Sequence, residues 1–168
     1  PDFDDGDWPQ AAGPQGPGHH AKDWQHPGFS MWNDGSPAQV NAVCSRAKFK
    51  VADPAKAGVL KLTLRYQGGA VVYVNGKEIA RGNLPEGKLD LDTLATAYPD
   101  DAYLGADGKP VVGDAHAKST PEQLAQFEKR VRRLEAEVPA NLLRAGVYVM
   151  AVEIHRAPYR EIYMGAPH

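Results

Sequence analysis

The sequence predicts an all-β domain, and three observations carry the prediction. Apolar and polar residues alternate with a period of two along several runs, an Asn-Gly pair stands between two β-rich stretches, and 17 Gly with 14 Pro in 168 residues favour many turns over a few long helices. The length suits one domain with a real core, so 1–168 is expected to fold as a single unit behind a loop-rich lead-in over 1–40.

The lead-in is dense in Pro, Gly and Asp and carries all three tryptophans, Trp8, Trp24 and Trp32. Flexible linkers are poor in aromatics, so an ordered, loop-rich segment is expected there. Phe49 and Val51 alternate with Lys48 and Lys50 ahead of the Asp53-Pro54 break, which predicts a short half-buried strand. Leu60, Leu62, Leu64 and Tyr66 alternate with Lys61, Thr63 and Arg65 in the clearest strand pattern of the chain. After Gly68-Gly69, Ala70 to Val74 is continuously apolar, as in a sandwich interior. Asn75-Gly76 follows, and because both residues tolerate positive φ they predict a hairpin pairing Val71–Val74 with Lys77–Arg81. Hairpin geometry and core packing account for Tyr73 in this motif.

Residues 98–110 read as a long irregular excursion. A helix is predicted over 121–138: Leu124, Phe127, Val131, Leu134 and Val138 form one stripe, Thr120 can cap it, and Pro121 and Gln123 fit its first turn. Val147 to His155 is apolar on both faces and predicts a central strand.

Composition excludes several classes. A formal net charge of −2 creates no field to gather nucleic acid, and Lys129, Arg130, Arg132 and Arg133 are offset by Glu122, Glu128, Glu135 and Glu137. Cys44 is the single cysteine, which removes intrachain disulfides and cysteine zinc sites. No run approaches the about 18 apolar residues of a membrane span, so membrane insertion is not expected. The chain begins at Pro1 with neither an initiator Met nor a signal peptide, and is expected to be a piece of a larger protein.

Val59 to Leu64 followed by Gly69-Ala70-Val71-Val72-Tyr73-Val74-Asn75-Gly76-Lys77-Glu78-Ile79-Ala80-Arg81-Gly82-Asn83-Leu84-Pro85 resembles the galactose-binding-like domains attached to many exported bacterial proteins, which read "gavvYvNGkevaRgNlp". Phe3 to Pro9 is similar to their opening "fDDsxWp", and Leu143 to His155 to their closing "LkpGxNvlAVEvHq". The matches stand in the family's order across most of the chain. The resemblance implies a jelly-roll β-sandwich with the 121–138 helix inserted, an extracellular or periplasmic location, and a non-catalytic carbohydrate-binding module whose partners are a polysaccharide or glycan and the neighbouring domains of its parent. Its alternative is a structural or protein-interaction accessory domain. Gln67-Gly68-Gly69 and Val147 depart from the family pattern, and its ligand sites lie on variable loops, so the fold transfers more directly than the ligand.

A sugar-binding site needs an aromatic ring for the apolar pyranose face and polar groups for its hydroxyls. Trp24, Trp32, Tyr98, Tyr103 and Tyr159 are the aromatic candidates, and His155 and Arg156 the polar ones. Each aromatic could equally be packed, whereas Trp8 is expected to be buried. Glu153 and His155 share one face of the last strand, for an intramolecular hydrogen bond or a ligand contact at the rim. Asp2, Asp4, Asp5 and Asp7 offer hard oxygen donors for the structural calcium that such domains frequently carry, without the full EF-hand pattern; no other cofactor is required. The chain has no G-x-S-x-G elbow, glycine-rich phosphate loop or HExxH pair, and no reaction is expected of it.

Overall fold

A computed structural model describes Asp4, Gly6, Asp7 and residues 41–111, 120–138 and 143–158. The chain divides into two compact units, Pro1–Val40 and Asn41–His168. In the first, Asp4 Oδ1 accepts a hydrogen bond from the Gly6 N–H at 2.9 Å, a local turn.

The second unit is antiparallel β structure. Its strands are β1 (Ala42–Val51), β2 (Leu60–Tyr66), β3 (Gly69–Val74), β4 (Lys77–Gly82), β5 (Arg132–Val138) and β6 (Gly146–His155), with helix α1 (Pro54–Ala57) and helix α2 (Pro121–Glu128) between them. A four-stranded sheet runs β1-β6-β3-β4, and a two-stranded sheet pairs β2 with β5. β6 is thus a central strand, as its two-sided apolarity requires.

Local chemistry explains most elements. Asn75 at φ 50° and Gly76 at φ 77° make the expected tight turn, and the hairpin keeps the expected register, Val74 opposite Lys77 and Val71 opposite Arg81, with a bulge between Val72 and Tyr73. β1 is longer than its alternating segment because β6 pairs with its whole length, from Ala42 opposite His155 to Val51 opposite Gly146. Asp53 ends β1 and caps α1, its side chain accepting from Ala55 N at 3.0 Å.

The helix expected over 121–138 stops at Glu128, and this is a correction. Its start is as predicted: Thr120 caps Gln123 N, Gln123 returns the bond to Thr120 N, and Pro121 opens the first turn. From Arg132 the chain is strand, with Arg133, Glu135 and Glu137 exposed and Arg132, Leu134, Ala136 and Val138 turned inward. Leu134 and Val138 are four apart, which suits a helical stripe and equally a strand face. Pairing with β2 along the register Leu60–Val138 to Tyr66–Arg132 decides for the strand.

The two sheets share a core. Val51, Val74 and Tyr148 of the larger sheet meet Val138 of the smaller one and Leu143, with Phe49, Leu60 and Ile79 packed against them; the Phe49 and Tyr148 rings stack at 5.2 Å. Gly82 marks how closely the layers approach: a Cβ there would overlap the Tyr66 hydroxyl and touch Leu134 Cδ1. Burying this apolar face between two sheets supplies the main stabilisation.

Candidate functional site

The sequence candidates that fall among the described residues converge on one end of the second unit. Tyr98 and Tyr103 pack edge to face, with ring centroids 6.1 Å apart, against Ala102 and Ala157. The Tyr98 hydroxyl accepts from Gly68 N at 2.6 Å and donates to Arg130 O at 2.7 Å. Gly68 in turn lies so close to the His155 carbonyl that no Cβ could stand there. Arg156 Nε donates to Asn41 Oδ1 at 2.7 Å, and Asn41 Nδ2 donates to Asp92 Oδ1 at 3.0 Å. Trp24, Trp32, Tyr159, Asp2 and Asp5 lie outside the described residues; Asp4 and Asp7 are exposed.

Much of this rim is packed. Tyr98 and Tyr103 are buried at 6% and 8% exposure, so neither offers the open ring face that stacking on a sugar needs. Arg132 lies over the Tyr98 ring at 4.0 Å while its η-nitrogens donate to Gly68 O and Thr96 O. His155 is 1% exposed, and its Nδ1 lies 2.9 Å from Thr93 O. A carbonyl can only accept, so Nδ1 carries a proton and Nε2 is the remaining nitrogen. That Nε2 is buried without a hydrogen bond, 3.6 Å from Glu153 Oε2.

Glu153 leads to the second region, the outer face of the four-stranded sheet. Strand parity places Glu153, Val71, Tyr73, Cys44, Glu78 and Arg81 on the face turned away from the shared core, in two cross-strand rows: Cys44, Glu153, Val71, Arg81, and Arg46, Ala151, Tyr73, Glu78. The 83–96 segment walls one end of this face. Leu84 covers Gly69, Thr93 meets His155, and Ala95 N donates to Arg156 O at 2.9 Å. At the β4 edge the Glu78–Arg81 pair is bidentate at 2.9 and 2.7 Å, and Arg81 also holds Pro85 O and Gly87 O. Beside it opens a shallow depression of about 540 Å³ lined by Glu78, Arg81, Leu84, Glu86 and Gly87.

Two groups on this face are half-buried without a side-chain hydrogen bond among the described residues. The Tyr73 ring is half-buried, and among the described residues its hydroxyl makes no hydrogen bond. Burial, with the Glu153 and Glu78 carboxylates nearby, pushes its phenol up, so it stays a neutral donor. Glu153 is half-buried, and no hydrogen-bond donor among the described residues reaches its carboxylate; His155 Nε2 at 3.6 Å is beyond hydrogen-bond distance. Cys44 stands beside it, exposed, with its thiol pushed up by partial burial and by Glu153, which keeps it a protonated, unreactive thiol at neutral pH. Hairpin geometry had accounted for Tyr73 as a core residue. The signal for the outer face was its parity opposite Val72 and Val74.

Compared with protein-family models, curated proteins and solved structures, the chain matches none. No group of three or more His, Cys, Asp or Glu side chains suited to a metal ion occurs among the described residues.

Proposed function

We propose that this chain is a jelly-roll accessory domain that holds a glycan without transforming it, on the outer face of the four-stranded sheet. One observation carries the reading: a half-buried aromatic ring, Tyr73, stands beside a half-buried carboxylate, Glu153, and neither makes a side-chain hydrogen bond among the described residues. A pyranose needs an apolar surface for its C–H face and hydrogen-bonding groups at its margin. Tyr73 with Ala151 gives the surface, and Glu153, the Tyr73 hydroxyl and the Glu78–Arg81 pair give the margin. The wall at 83–96 bounds the ligand at one end, and the depression at the β4 edge gives a chain of sugars a direction in which to continue.

The antiparallel two-sheet architecture and the ordered resemblance of three segments to galactose-binding-like domains support the same reading. On this reading the domain belongs to an exported protein and is attached to neighbouring modules. Affinity electrophoresis of the full chain through plant, algal and host polysaccharides tests it. Retardation by at least one polymer, lost in Tyr73→Ala and weakened in Glu153→Gln, is expected. A chain that runs unretarded through every polymer would sink the proposal.

A further inference from the structure

Arg130 is built differently from every other described arginine. Arg65 ends on Glu128, Arg81 on Glu78, Arg133 on Glu135, Arg132 on Gly68 O, Arg144 on Leu143 O, Arg156 on Asn41, and Arg46 has a partner of its own. Among the described residues Arg130 alone has no hydrogen-bond acceptor for its guanidinium. It is nevertheless fixed. Its carbonyl accepts from the Tyr98 hydroxyl at 2.7 Å, and its amide donates to Phe127 O at 3.0 Å. Its guanidinium carbon lies 4.7 Å from the Phe127 ring centre and 5.4 Å from that of Tyr103, both within cation–π range.

The support beneath it is fixed as well. Phe127 and Tyr103 are buried, and Gln126 Nε2 and Lys129 Nζ both donate to Asp101 O, tying α2 to the turn that carries Tyr103. Nε of Arg130 is buried without a partner, while the residue as a whole is half-buried, and its two η-nitrogens have no acceptor among the described residues. Ring stacking therefore holds the guanidinium, and no acceptor among the described residues uses it. A guanidinium presented by its η-edge matches a planar carboxylate with two parallel N–H···O bonds, and because its position is set beforehand the ordering cost on binding is small.

We infer that Arg130 is a recognition residue for a carboxylate on the ligand, so that the glycan this domain takes includes uronate residues. The inference rests on the glycan reading for its ligand class and adds a second point of attachment, at the end of α2, to the one on the sheet face. Neutral sugars use Tyr73 and Glu153; the carboxylate uses Arg130.

Sodium galacturonate and galactose differ at the carboxylate and serve as paired probes. Titrated into the full chain labelled with ¹⁵N, galacturonate is expected to shift the Arg130 Nε–Hε resonance and the Tyr103 ring signals, and galactose to leave them in place. Arg130→Gln should weaken galacturonate binding by about tenfold or more, and Arg130→Lys, which keeps the charge but loses the fork, should recover only part of it. If galacturonate leaves the Arg130 signals unmoved, or if an oligoglutamate peptide moves them more strongly than galacturonate, the inference is overturned. The two proposals fail separately. Galacturonate binding at Arg130 with no retardation by any polysaccharide removes the sheet-face reading and keeps a carboxylate site. Retardation abolished by Tyr73→Ala but unchanged in Arg130→Gln, for neutral and acidic polymers alike, removes Arg130 and keeps the sheet face.

Discussion

Tyr98 and Tyr73 carry the same side chain in opposite conditions. At the rim, Tyr98 is buried, its hydroxyl both accepts and donates, and a guanidinium covers its ring. On the sheet face, Tyr73 is half-buried with its hydroxyl uncommitted among the described residues. A buried polar group must find partners or cost stability, whereas a group reserved for a ligand must be held in place without being satisfied from within. Tyr98 is therefore spent on the fold, and Tyr73 is the ring left for the binding proposed above.

Removing one oxygen tests this difference most sharply. Tyr98→Phe leaves Gly68 N and Arg130 O without their partner and should destabilise the chain by about 2–4 kcal/mol in urea unfolding. If it costs no more than a surface change, Tyr98 is not the structural member of the pair. Gly82→Ala, at the close approach of the two sheets, should cost about 1–3 kcal/mol by overpacking Tyr66 and Leu134, with a lowered thermal midpoint as the readout. Tyr73→Phe, by contrast, should change stability by no more than about 0.5 kcal/mol while weakening retardation by polysaccharide, since the hydroxyl makes no hydrogen bond among the described residues.

A pH-dependent effect lies at the margin of the face. Its hydrogen bond to Arg81 holds the Glu78 carboxyl below the ordinary carboxylate range. A carboxylate depressed in the folded state contributes stability that is present above the unfolded value, about 4.3, and lost as pH falls through the folded one. Glu78 is 39% exposed, so water screens the pair and its worth is at most about 1 kcal/mol. The stability gap between the parent chain and Glu78→Gln should therefore narrow between about pH 5 and pH 3. A gap that stays constant with pH would show that the pair holds the 85–87 turn by geometry alone.

Elements whose signal is local were legible in the sequence. The Leu60–Tyr66 alternation, the Asn75-Gly76 turn and the Thr120 capping box each fix a structure within a few residues, and each appears where it was expected. The 132–138 strand was not legible, because its apolar spacing fits two periods and only a partner 78 residues away, Leu60 opposite Val138 at one end of the ladder, chooses between them. The site divides in the same way. Aromatic type and loop position pointed to Tyr98 and Tyr103, but whether a ring is open or packed depends on Gly68, Arg130 and Arg132, which reach it from distant segments. Glu153 and Tyr73 come together across two strands 80 residues apart, a relation that exists only once β3 and β6 pair.

The hairpin turn also sets a chemical clock. Asn-Gly is the dipeptide that cyclises most readily to a succinimide, because the unhindered Gly nitrogen can attack the Asn side-chain carbonyl. Here the Asn75 Oδ1 accepts from Val149 N at 2.9 Å while Asn75 N donates to Val149 O at 2.8 Å, so the side-chain carbonyl that would be attacked and the Asn75 backbone are each tied to β6. Deamidation at this position should therefore track the fraction of chains in which β3 and β6 have come apart. Peptide mapping of stored protein, compared with protein stored in urea, would expose any other dependence, and the turn that registers the sheet would double as a record of how long each molecule has stayed folded.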